Sequence, residues 1–203
     1  ISHLHGDHYY GLFGLISSLS LLGRTNDLNI YAHPDLEEIL NFQLKFYDLG
    51  FNLQFHAIQD KFAGILFEDK HIMVSTFPLK HRIASNGFIF NEKQKERNLI
   101  KDLIPYYQLG IRDILKIKNG EDFIDRNGNT IPNHQLTFPA REPRSYAFCS
   151  DTAYDPTIVE FIKGANILYH ESTFAENLAK RAEETGHSTA KQAAQIAHLA
   201  GVK

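Results

Sequence analysis

A single cysteine, Cys149, stands among 203 residues, so no internal disulfide can form. No charged-then-apolar leader opens the chain, and together with the lone thiol this points to a reducing, cytoplasmic setting. Apolar runs stay far below the roughly 18 residues that a membrane helix needs, which argues against a membrane partner. Charge of one sign is not in surplus either: 21 basic residues face 24 acidic ones, so any nucleic-acid role requires a local patch. Internal repeats and low-complexity linkers are missing as well. The remaining composition is that of a globular protein, 43% hydrophobic and 22% charged. A chain of this length can bury about 70% of the surface its unfolded form exposes, enough for one domain with a real core.

The pattern along the chain alternates between strand and helix. Residues 9–22 carry apolar side chains at helical spacing and stop at Gly23. Residues 29–33 read as a strand, and Pro34 with the acids Asp35, Glu37 and Glu38 opens a helix to about Asp48. Short runs at 52–57, 63–68 and 71–78 predict an antiparallel meander, and another strand follows at 87–91. Segment 92–119 is polar and helix-prone, with seven Lys/Arg against three acids between Lys93 and Lys118. Solvated charge on an exposed helix is the plain account of that surplus. Asn127-Gly128 marks a hairpin turn. A strand at 145–150, a helix at 156–163, a strand at 166–170 and helices at 174–185 and 189–200 complete an α/β layered domain. The chain opens without Met inside a motif and stops just after a helical pattern, which predicts a fragment trimmed at both ends.

Histidine is abundant, with 11 residues, and its placement is more telling than its number. His3-Leu4-His5-Gly6-Asp7-His8 is an H-x-H-x-D-H constellation that this composition would produce by chance about once in 500 chains. On an extended strand end His3 and His5 leave the same face, and a turn at Gly6 lets Asp7 and His8 address a second position nearby. Imidazole with carboxylate suits zinc, with manganese or iron also compatible. Further candidate ligands fall at strand ends: His81 follows Pro78-Leu79-Lys80 at the close of an apolar run, and Asp151 follows Tyr146-Ala147-Phe148-Cys149-Ser150. Asp151 is read either as a helix N-cap or as a carboxylate bridging two metals. His33, His56, His71, His134 and His198 have no partner motif and read as structural or surface residues. Cys149 reads as buried strand filler, since nothing around it lowers a thiol pKa.

These segments resemble the metallo-β-lactamase superfamily and, within it, the ribonuclease Z family of tRNA 3′-processing endonucleases. The likeness is carried by Ser2-His3-Leu4-His5-Gly6-Asp7-His8, Pro78-Leu79-Lys80-His81-Arg82, Ser150-Asp151-Thr152, His170-Glu171-Ser172-Thr173 and Gly186-His187-Ser188-Thr189, in order over nearly the whole chain. The resemblance implies a four-layer αββα sandwich, truncated at both ends, that spans residues 1–203 as one domain. It implies two Zn²⁺ per subunit: His3, His5 and His81 on one, Asp7 and His8 on the other, and Asp151 between them. The family's second zinc takes one more histidine after the last helix, beyond the end of this chain.

Segment 92–119 stands where that family inserts a flexible arm that grips the tRNA body, although the usual Gly-Pro-rich arm motif is not visible. Precursor tRNA as substrate and a homodimer are implied in the same way. Asp7 is expected to orient the attacking water, His187 to protonate the leaving oxygen, and Glu171 to orient His187. A small-substrate phosphodiesterase on the same fold, or a non-catalytic RNA-binding homologue, would share most of these residues.

Overall fold

A computed structural model describes residues 1–203. The chain divides into two compact units, the first formed by residues 1–69, 73–91 and 145–203, the second by residues 70–72 and 92–144.

The first unit begins with helix α1, Gly6–Leu21, followed by strand β1, Leu28–Ala32, helix α2, Asp35–Leu44, and strand β2, Leu53–Ala57. Helix α1 starts three residues earlier than its apolar spacing predicts. Asp7 in its first turn complements the positive end of the helix, and His8 N–H donates to His5 O at 3.0 Å. Asp7 and His8 therefore project from a helical turn rather than from a loop. In α2, Leu36, Leu40 and Leu44 recur every fourth residue and are all buried. With Ile16, Ile30, Ala32 and Phe51 they make one core. Burying each large aliphatic or aromatic side chain contributes about 1.5–3 kcal/mol.

Strand β2 corrects the expected meander. It runs parallel to β1, with Leu28 opposite Leu53 and Ala32 opposite Ala57, and α2 is the crossover that a parallel pair requires. Periodicity alone does not reveal strand direction, so the run at 52–57 looked like part of the hairpins that follow. The meander proper comprises β3, Gly64–Glu68, β4, Ile72–Leu79, and β5, Ser85–Glu92. In a five-stranded mixed sheet these stand beside the strand of residues 145–149, which is antiparallel to β5, and the strand of residues 167–170.

The second unit holds β6, Asn98–Leu99, α3, Leu103–Tyr107, α4, Ile111–Lys118, β7, Phe123–Ile124, β8, Thr130–Ile131, α5, Asn133–Leu136, and β9, Thr137–Phe138. The polar segment 92–119 is thus part of a longer unit with its own small core of Leu109, Ile117 and Leu136. Buried Asn133 ties that core by donating to Ile117 O at 2.6 Å and Glu121 O at 2.8 Å. The hairpin expected at Asn127-Gly128 joins β7 to β8; Asp125 Oδ1 accepts from the backbone N–H of Asn127 and Asn129, and Gly128 has φ +85°.

The chain then returns to the first unit through β10, Ser145–Cys149, α6, Val159–Ile162, β11, Ile167–His170, α7, Ala179–Thr185, and α8, Ala190–Ala200. β10 and β11 are parallel, with α6 in the crossover. Phe77, Leu79, Ala147, Cys149, Ile158, Ile162, Ile196 and Ala200 pack the helices onto this sheet. Gly87 is required there, because a Cβ would come within 2.4 Å of the Phe77 ring.

Candidate metal centre

The candidate ligands reach one place from three separate parts of the first unit. His3 and His5 precede α1, Asp7 and His8 lie in its first turn, His81 follows β4, and Asp151 follows β10. His5 Nδ1 stands 3.2 Å from His3 Nε2 and 3.1 Å from His81 Nε2. Asp151 Oδ2 lies 3.6 Å from His3 Nε2, 3.4 Å from His8 Nε2 and 3.9 Å from His81 Nε2. His3, His5, His81 and Asp151 each offer a ligand atom, and all four atoms fall within 4.8 Å of one another. Asp7 joins through His8, with Oδ2 3.4 Å from His8 Nε2, and its side chain is 79% exposed.

The proton inventory shows why a cation fits here. His81 Nδ1 lies 2.7 Å from Gly186 O, which can only accept, so the ring proton sits on Nδ1 and the Nε2 lone pair faces inward. Ser2 Oγ donates to Ser150 Oγ at 3.0 Å and so accepts from His3 Nδ1 at 3.1 Å, which leaves the His3 Nε2 lone pair inward too. Both lone pairs address His5 Nδ1, which can donate to at most one of them. Burial, followed by the nearby His8, His81 and His5, pushes the His3 pKa down to about 3, and burial likewise lowers that of His81. Extra protons on these two rings are therefore disfavoured at neutral pH, and converging nitrogen lone pairs repel unless a cation lies among them. Nitrogens on a tetrahedral ion with bonds of about 2.0–2.1 Å stand about 3.3 Å apart, close to the spacing seen.

A second group sits against Asp151. His187 Nδ1 is 4.0 Å from Asp151 Oδ2 and 2.9 Å from Glu171 Oε1. Glu171 is buried, and its Oε1 also accepts from Thr152 N–H and Ser188 N–H, both at 3.1 Å. Its Oε2 accepts from Thr173 N–H at 2.9 Å and Thr173 Oγ1 at 2.8 Å. Five donors on one carboxylate leave little capacity for a metal, so Glu171 serves as an anchor for His187. Thr189 caps α8, in a capping box with Gln192. Ser188 instead donates to Thr152 O at 2.7 Å and fixes the loop that carries His187.

Asp151 caps no helix: the N-cap role before the 3₁₀ turn at 156–158 belongs to Asp155. That leaves its carboxylate to the histidines. His33 lies between Asp35 and Asp60, and His56 stacks on Tyr31 while bonding Asn29. Cys149 is fully buried, and burial pushes its thiol up to about 12. His170 donates from Nδ1 to Glu171 O at 2.7 Å, and its Nε2 is buried without a partner. Ser2, Ser150, Thr152, Thr173 and the Gly186 carbonyl support the site without a role that the sequence marks. Their only signal was their place next to the motif histidines, because the contacts they make span up to 148 residues.

No protein-family model matches the chain. Ribonuclease Z of Bacteroides thetaiotaomicron is 48% identical over 100% of this chain and 65% of its own length. Ribonuclease Z of Bacteroides fragilis is 45% identical over 100% of this chain and 67% of its own length. The chain thus spans about two thirds of the length of these relatives. Human tRNase Z, short form, matches in structure with a TM-score of 0.67 at 23% identity, covering 100% of this chain and 68% of the human one, and so shares the fold. With its metal-ligand pattern, its mixed α/β architecture and relatives at this level of identity, the chain belongs to the ribonuclease Z family.

Proposed function

We propose that this chain is the catalytic part of a metal-dependent endoribonuclease that removes the 3′ trailer from precursor tRNA. The observation that carries the reading is the inward convergence of His3, His5, His81 and Asp151 beside a His187 anchored by Glu171. Two Zn²⁺ per subunit suit the donors: His3, His5 and His81 would hold the first, Asp7 and His8 the second, and Asp151 would serve both; Mn²⁺ or Fe²⁺ suit them as well. When bound, such ions supply Lewis acidity to the scissile phosphate and a water of lowered pKa.

The chain's own groups do the rest. The exposed Asp7 carboxylate orients the attacking water and takes its proton as the oxygen bonds to phosphorus. The bond from phosphorus to the ribose 3′ oxygen breaks in line. His187, held through Nδ1–H by the Glu171 carboxylate, delivers a proton from Nε2 to that oxygen. The products are a tRNA ending in a 3′-hydroxyl and a trailer with a 5′-phosphate.

Segment 92–119 is assigned to the tRNA body. Arg112 and Lys116 lie one turn apart on the exposed face of α4 and supply salt-dependent phosphate contacts. A homodimer is part of the same reading: Leu21, Leu22, Phe42 and Phe46 are 72–89% exposed on α1, its C-cap and α2 with its flank, an apolar surface that suits a second copy. The test is incubation of zinc-loaded protein with a 3′-extended precursor tRNA and with bis(p-nitrophenyl) phosphate. Release of the intact trailer supports the reading. Hydrolysis of the small diester alone assigns the chain to small-substrate phosphodiesterases instead.

A further inference from the structure

A cavity of ≈ 450 Å³ opens beside His187, lined by Lys80, Tyr154, Lys180, Glu183, His187 and Gln192. Its chemistry differs from that of the other large cavity, ≈ 480 Å³, which is walled by Leu12, Leu15, Leu66, Val74, Phe88 and Phe90 among others and offers no charged side chain. The side chains of Lys80, Tyr154, Lys180 and Glu183 engage no hydrogen-bond or ion-pair partner, so two cations, a carboxylate and a phenol face the space uncommitted. Gln192 Oε1 accepts from Thr189 N–H, which leaves its amide N–H groups toward the cavity. Tyr154 is half-buried and packs against the core cluster that includes Ile158, Ile162 and Ile196. Cavities of roughly 300–1,000 Å³ hold small organic ligands, and a mononucleotide is within that class.

We propose that this cavity seats the ribonucleotide on the tRNA side of the scissile bond. The assignment rests on the reading of His187 given above: the group that protonates the leaving 3′ oxygen must stand beside the sugar that keeps that oxygen. Lys80 and Lys180 meet the phosphate on the 5′ side of this nucleotide. Tyr154 lies against the sugar and base, and Glu183 accepts from the ribose 2′-hydroxyl, the group that separates RNA from DNA. Lys80 immediately precedes His81, so the residue that meets the neighbouring phosphate is tied in sequence to a candidate metal ligand.

The test is a titration of the full chain with adenosine 5′-monophosphate and with 2′-deoxyadenosine 5′-monophosphate, followed by the ring resonances of Tyr154. It is run on the wild type, on Lys180→Glu and on Lys163→Glu, the last an exposed charge reversal outside the cavity. The expected result is saturable movement of Tyr154, tighter binding of the ribonucleotide, and about tenfold weaker binding in Lys180→Glu but not in Lys163→Glu. A Tyr154 ring that does not move, equal binding of the two sugars, or equal weakening by both charge reversals overturns the proposal. The titration needs no turnover, so a cavity that binds as stated in a protein that leaves precursor tRNA intact would refute the endonuclease reading and not the site.

Discussion

The two units solve different problems with different materials. In the first, four stretches far apart in sequence end at one point, and three of the candidate site side chains are held from behind: His3 by Ser2, His81 by the Gly186 carbonyl, His187 by Glu171. In the second, the strands are two residues long, three buried side chains form the core, and Tyr106, Ile111, Leu115, Ile124 and Phe138 are left 52–79% exposed. Chemistry demands fixed atoms, which long buried strands provide at their ends; the proposed contact with tRNA would instead use the surface that the lightly packed unit leaves open. The contrast implies that damage to the first unit appears in kcat and metal content, and damage to the second in stability of that unit and in substrate affinity.

The sharpest break is expected at His187. A positioned acid is worth about 10²–10⁴ in rate, so His187→Ala lowers kcat on precursor tRNA by that factor with metal content unchanged, read by steady-state kinetics and metal analysis. Loss of metal in this variant would mean that His187 is a ligand. A smaller effect is expected at Ser2, whose hydroxyl holds the His3 ring: Ser2→Ala weakens metal binding by about 10–100-fold, measured by competition with a chromogenic chelator. An unchanged affinity would show that the tautomer of His3 is set by something else.

On the other side of the comparison, Ile117→Ala removes a fully buried side chain from the second unit at a cost of about 2–5 kcal/mol. Hydrogen exchange of residues 92–144 should quicken while metal content holds; metal loss in that variant would mean that the units are not separable. The smallest effect concerns Cys149. With its thiol pushed from 9.0 to about 12 by burial, the thiolate fraction at pH 8 is about a thousandfold below that of the unfolded chain. Disulfide-exchange reagents should leave it untouched until urea is added, and rapid labelling of the native protein would contradict its placement in the core.

Much of the site was legible because its residues are of rare types in a dense pattern. His3, His5, Asp7 and His8 occupy four of six consecutive positions, and His81 and Asp151 mark the ends of apolar runs. The grip on these ligands was not legible. Serine, threonine and a glycine carbonyl are too common to stand out, and their partners lie up to 148 residues away. Strand existence was readable from alternation, whereas the direction of β2 was not, since α2 could lead into either pairing. The start of α1 was misplaced because Gly6, Asp7 and His8 are poor helix formers, held in the first turn by the helix end and by their neighbours rather than by propensity.

His3, His5, His81 and Asp151 are assigned together as a metal site. Elemental analysis of bound metal after zinc loading and gel filtration, on the wild type and on His81→Ala, tests it most directly. Stoichiometric zinc is expected on the wild type, with loss of at least one zinc per chain in the variant, whose fold is verified by circular dichroism. Equal metal content in the two proteins, or a wild type that holds none, would contradict it.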